Sequence, residues 1–136
     1  METDKFEIVI YDKGRGYSTG LQVQKLAGNR FKMLENDPFT ANWNLGTEFE
    51  ATLNEEGKYE ISSITRESDF LTRRFLLSTR YNQTDYEFLG AELTKMGGFW
   101  QYDMGIVTIN IPQDKRDETN KIIEDLGLYS LELTDD

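Results

Sequence analysis

From Lys5 to Thr65 apolar and polar side chains alternate in short runs, and past Glu67 that alternation is twice replaced by stripes of helical period. This switch constrains the fold most, because residues two apart share a strand face while residues three and four apart share a helix face. In the first part Phe6, Ile8 and Ile10 mark a strand over 5–11, followed by a glycine-rich loop from Gly14 to Gly20. Leu21–Leu26 and Arg30–Leu34 read as a hairpin about Ala27-Gly28-Asn29. Asp37-Pro38-Phe39 breaks the pattern, and a loop carries Trp43 toward Gly46. Thr47–Leu53 and Lys58–Thr65 are strands joined at Asn54-Glu55-Glu56-Gly57. These short strands and tight turns predict a small antiparallel, barrel-like subdomain over residues 1–67.

The second part, 68–136, opens with a strand over Leu71–Ser78. Thr84-Asp85-Tyr86-Glu87 has the form of a capping box, and Tyr86, Leu89, Leu93 and Met96 form a helical stripe that Gly97-Gly98 can stop. A short strand, Phe99–Tyr102, turns at Asp103-Met104-Gly105 into Ile106–Ile111. Asp114–Leu126 is a second helix, with Thr119, Ile122, Ile123 and Leu126 as its stripe. Gly127 ends it, and Leu128–Leu133 is a last strand. The order βαββαβ is that of a ferredoxin-like unit, with the strands from Leu71 and Ile106 central. The expected class is therefore α+β. With no linker-like tract near Glu67-Ser68-Asp69, the two subdomains are expected to form a rigid pair.

Composition removes much chemistry. Among 136 residues there is no cysteine and no histidine, and 25 acids against 15 bases leave a net charge of −10. Disulfides, thiolate nucleophiles and Cys-based zinc sites are excluded, and the commonest general base and transition-metal ligand are absent. A chain so acidic is a poor match for duplex DNA or an anionic membrane, both of which demand basic surfaces. Met1-Glu2-Thr3-Asp4-Lys5 does not begin a signal sequence, so a soluble, cytoplasmic protein of bacterial type is expected. No cofactor and no metal site is implied.

Against this acidity, Arg66, Arg73, Arg74 and Arg80 are four of seven arginines crowded into a short stretch. On a strand Leu71, Arg73 and Phe75 share one face while Thr72, Arg74 and Leu76 share the other. One of the neighbouring arginines must then point toward the helices or the junction, where a charge needs a carboxylate or a ligand. An internal salt bridge to Glu48, Glu50, Glu60 or Glu67 is the simpler expectation, and an anion site the alternative. Arg74 is expected to be partly buried, paired with Glu67 or Glu50. Glu48 and Glu50 share a strand face about 7 Å apart, a separation suited to glycosidic chemistry, but a solvated outer face already accounts for them. Asp114, Asp117 and Glu118 complement a helix start without any cation. Phe39, Trp43 and Trp100 are candidate contact residues, for which packing into two small cores is the competing explanation. The loop Gly14–Gly20 lacks the lysine and following helix of a phosphate cradle and reads as a mobile hairpin loop.

Gly28-Asn29-Arg30-Phe31-Lys32-Met33-Leu34, then Asp37-Pro38-Phe39, Leu45-Gly46 and Asn54-Glu55-Glu56-Gly57, follow one another in a familiar order. With Arg66-Glu67-Ser68-Asp69 before a strand, the chain resembles a family of small bacterial proteins known as domain-of-unknown-function family 4265. The resemblance covers residues 20–80, and it points to Arg74 as the family's arginine. It departs at Thr47, where the family usually has Asp, and at Asp69, where it usually has Gly. It implies no activity. The residues themselves point first to a non-catalytic binding module, such as an acidic inhibitor or immunity-type protein for a basic partner. A regulatory small-ligand module of the amino-acid-binding βαββαβ type, with its ligand near Gly97-Gly98, is the alternative. A carboxylate-based enzyme comes third. The partner is a protein or a small ligand, and oligomeric state is not set by the sequence.

Overall fold

The computed structural model describes residues 4–40, 42–76, 83–128 and 132–133. The chain is α+β: antiparallel strands dominate, gathered into two sheets, with two α-helices. It packs as two compact units, Met1–Ser68 and Asp69–Asp136.

In the first unit β1 (Lys5–Asp12), β2 (Tyr17–Ala27), β3 (Arg30–Met33), β4 (Glu48–Leu53) and β5 (Tyr59–Arg66) pair in sequence order as antiparallel neighbours. β5 meets β1 at Ile10–Tyr59 and closes the barrel. That last pairing is parallel because five strands alternating in direction bring first and fifth together pointing the same way. Alternation decides the core: Ile8, Ile10, Leu21, Val23, Phe31, Met33, Phe49 and Ala51 all point inward. Phe31 sits at its centre, stacked on Phe49 at 5.6 Å and edge-on to Tyr59 at 5.3 Å.

The stretch Gly14–Gly20 is not one loop. Tyr17–Gly20 extends β2, with Gly20 opposite Val9 and Tyr17 opposite Asp12. Only a four-residue turn, 13–16, remains. Asp12 organises it, its Oδ1 accepting the Gly14 and Arg15 amides at 3.0 and 3.3 Å. Arg15 then folds back and donates to the Phe39 carbonyl at 2.6 Å, which ties the turn to the loop before β4.

In the second unit β6 (Phe70–Leu76), β7 (Phe99–Asp103), β8 (Ile106–Pro112) and β9 (Glu132–Leu133) form an antiparallel sheet in the order β7-β8-β6-β9. The helices α1 (Gln83–Lys95) and α2 (Arg116–Asp125) pack on one face, where Phe75, Val107, Ile109 and Ile111 meet Tyr86, Leu89, Leu93 and Ile123. Two helix starts differ from expectation. Thr84 lies inside α1 rather than capping it, and the turn Gln113–Lys115 after Pro112 is 3-10, so α2 begins at Arg116. Proline fixes the entry angle there, and the tighter turn absorbs it. The expected ends Leu77-Ser78 and Leu128–Leu131 fall wholly or partly outside the described residues.

Candidate functional site

Strand β6 carries the informative arginines, and its pleat sends them to opposite faces. Phe75 is in the core beneath the helices, so Arg73, two residues earlier, also faces the helix layer. Its guanidinium forms a two-pronged pair with Glu132 of β9, Nε to Oε2 at 2.8 Å and Nη2 to Oε1 at 2.7 Å. Nη1 donates to Asn120 Oδ1 of α2 at 2.5 Å, and the charge lies over the Phe75 ring at 5.7 Å. A carboxylate thus meets the inward arginine as charge balance demands, but Glu132 was not among the acids the sequence singled out.

A cleft of about 430 Å³ opens beside this arginine, lined by Leu71, Thr72, Arg73, Ile111, Arg116 and Asn120. Arg116 and Asn120 stand four apart on α2 and therefore one above the other, next to the buried Thr119 and Ile123. Arg116 is exposed and, among the described residues, makes no ion pair. As the first residue of α2 it opposes the helix dipole, which Asp117 and Glu118 favour. The cleft thus offers two guanidinium groups, a hydroxyl, an amide and two aliphatic walls. Among the described residues no carboxylate lines it.

The other candidates are dispersed. Arg74, only 8% exposed, lies on the sheet face away from the helices, across the ladder from Thr108 and Leu133. Arg66 is exposed at the end of β5, opposite Glu48. Trp43, 9% exposed, belongs to the barrel core, the packing role that competed with contact. Phe39 is exposed, its carbonyl held by Arg15. Trp100 faces the helices and lies against Gly90 of α1, while its neighbour Phe99 turns to the other face and meets Phe70 edge-on at 5.5 Å. Arg80 lies outside the described residues. Glu48 is engaged by Arg30 at 3.4 Å. Gly97-Gly98, where the alternative reading expected a ligand, ends α1 through a Gly98 amide bonded to the Leu93 carbonyl at 2.8 Å, and neither glycine is among the cleft residues named above. Among the described residues no group of three or more acids is placed to hold a metal, and no helix is long and apolar enough to cross a membrane.

The seat of Trp100 gives a direct test. A Cβ added at Gly90 would lie 2.5 Å from Trp100 Cε2, so Gly90→Ala must displace the indole. We expect a loss of about 1–3 kcal/mol in a denaturant titration; an unchanged midpoint would disprove the seat.

No family model and no curated protein matches the chain. In three dimensions it is similar to the crystal structure of a hypothetical protein from Neisseria gonorrhoeae, with a TM-score of 0.66 and 14% sequence identity. The match covers 95% of this chain and 89% of that one. At this identity the likeness is one of fold.

The sequence missed Arg116, Asn120 and Glu132. The first two had a signal: spaced four apart, they flank the apolar stripe of α2 and so stand where a helix meets its sheet. Glu132 had none, because only the strand order brings it beside Arg73.

Proposed function

We propose that this protein is a non-catalytic binding module whose second unit takes a small anionic ligand with an apolar portion. One observation carries the proposal: a cleft of small-molecule size in a chain of charge −10 is lined, among the described residues, by two arginines and no acid. Arg73 is held in position by Glu132 and Asn120, and Arg116 supplies a charge that forms no ion pair among the described residues. Leu71 and Ile111 suit a short aliphatic stem.

The test is thermal unfolding with inorganic phosphate or a short aliphatic carboxylate as probe. A ligand at a hundred times its dissociation constant stabilises the folded state by about 2.7 kcal/mol. We expect stabilisation by at least one probe, and its loss in Arg116→Gln. No shift with either probe, or an equal shift in the variant, would refute the proposal.

With this function we propose a ferredoxin-like identity for Asp69–Asp136, supported by its element order and all-antiparallel pairing. Membership of the 4265 family rests on the residue order from Gly28 to Gly57. Its departure at Thr47 falls on a buried position, where an uncharged hydroxyl is easier to accommodate than a carboxylate. A cytoplasmic, bacterial setting belongs to the same proposal.

A further inference from the structure

The four-stranded sheet has two edges, β7 and β9. At one edge β9 carries Glu132, whose charge is taken up by Arg73. At the other, β7 is the five-residue segment Phe-Trp-Gln-Tyr-Asp, without lysine, proline or a register shift, and among the described residues it pairs only with β8. Tyr102 is 53% exposed and Trp100 36%. Its one charge, Asp103, is engaged by the side-chain amide of Gln101.

The hairpin fixes which backbone groups remain free. Met104 and Gly105, at φ 51° and 84°, form a two-residue turn of the I′ kind between Asp103 and Ile106. Such a turn closes on a hydrogen-bonded pair, and bonded and non-bonded pairs then alternate along the ladder. Phe99, Gln101 and Asp103 therefore direct their amides and carbonyls to β8, whereas Trp100 and Tyr102 direct theirs outward.

We propose that β7 joins a second copy of this chain, by antiparallel pairing with its counterpart about a two-fold axis at Gln101. In that register Trp100 lies opposite Tyr102 of the second copy, and the reverse, so the outward groups of both residues bond to one another. The aromatic pairs fall on the helix-facing side, the kind of cross-strand pair that stabilises a sheet. Gln101 meets itself, and each Asp103 meets Phe99 of the second copy, so no like charges oppose. A second copy fits better than a basic protein because the exposed strand is aromatic and its only carboxylate is already engaged.

Sedimentation of the full chain tests this. We expect a species of twice the 15.8 kDa chain mass, tightening as salt rises because two acidic chains repel one another less. Tyr102→Lys should shift it to monomer at the same concentration. The register makes Gln101 a non-bonded pair, with Cα atoms about 4.5 Å apart, within disulfide reach. In this cysteine-free chain Gln101→Cys should form a linked dimer in glutathione buffer, and Met104→Cys should not. A monomer at every concentration would overturn the proposal, as would a dimer that neither variant affects. Capture of a lysine-rich peptide by β7 in a monomeric protein would overturn it too.

Discussion

Phe49→Ala is expected to destabilise the barrel by about 3–5 kcal/mol, the usual result of emptying a fully buried aromatic site. Phe49 is entirely inaccessible, stacked on Phe31 at an interplanar angle of 26°, and Phe31 in turn leans edge-on against Phe6 and Tyr59. Truncation therefore removes the buried ring and leaves a void that the closed barrel cannot collapse, since its strands are fixed on both sides. A domain's whole stability is about 5–15 kcal/mol, so this one change takes a large share. A urea titration read from Trp43 fluorescence, in a Trp100→Phe background, would report it from within the barrel core. Leu53→Ala, on the exposed end of the same strand, should stay within about 0.5 kcal/mol of the parent. Equal effects at the two positions would contradict the packing described.

Arg73→Met is expected to cost the second unit about 2–3 kcal/mol, and Arg73→Met with Glu132→Met clearly less than the two single losses together. Removing one member of a buried ion pair strands the other, which is worse than removing both. The pair is not fully dry: the Arg73 and Glu132 side chains retain 19% and 23% of their exposure, so the single loss falls below that of a completely buried pair. Asn120 also loses its donor. A double-mutant cycle by chemical denaturation should return a coupling of about 1–2 kcal/mol. Strict additivity would show that the two-pronged contact holds nothing together.

Much of the architecture was legible because it rests on periodicity. The inward sets Phe6-Ile8-Ile10 and Phe49-Ala51, the stripe Tyr86-Leu89-Leu93, and the stops at Gly97-Gly98 and Gly127 are local signals that tertiary packing reinforced. Two local signals failed for local reasons. Glycine content made Gly14–Gly20 look like a loop, yet β1 offered a partner for Tyr17–Gly20 and pairing prevailed over composition. The hydroxyl–carboxylate spacing at Thr84 imitated a cap, but the helix starts earlier. The site was legible only in part. Strand parity showed that one of the two adjacent arginines must turn inward; it could not say which acid waits there, because Glu132 approaches through strand order and not through sequence distance. Arg116 was passed over at the start of the second helix, where only Asp114, Asp117 and Glu118 were weighed, although its charge is the wrong sign for that position.

The place of β9 also bears on how the chain takes shape during synthesis. In the barrel each strand finds its partner in the strand just made, so pairing can keep pace with the emerging polypeptide. The second sheet cannot proceed this way. Its first strand waits for β8, and the Arg73–Glu132 contact spans 59 positions, a long loop to close before any reward arrives. Until β9 leaves the ribosome, Arg73 faces the helix layer without Glu132, and the outer side of β6 stays open to strands of other nascent chains. The order of birth thus makes β9 the final fastener.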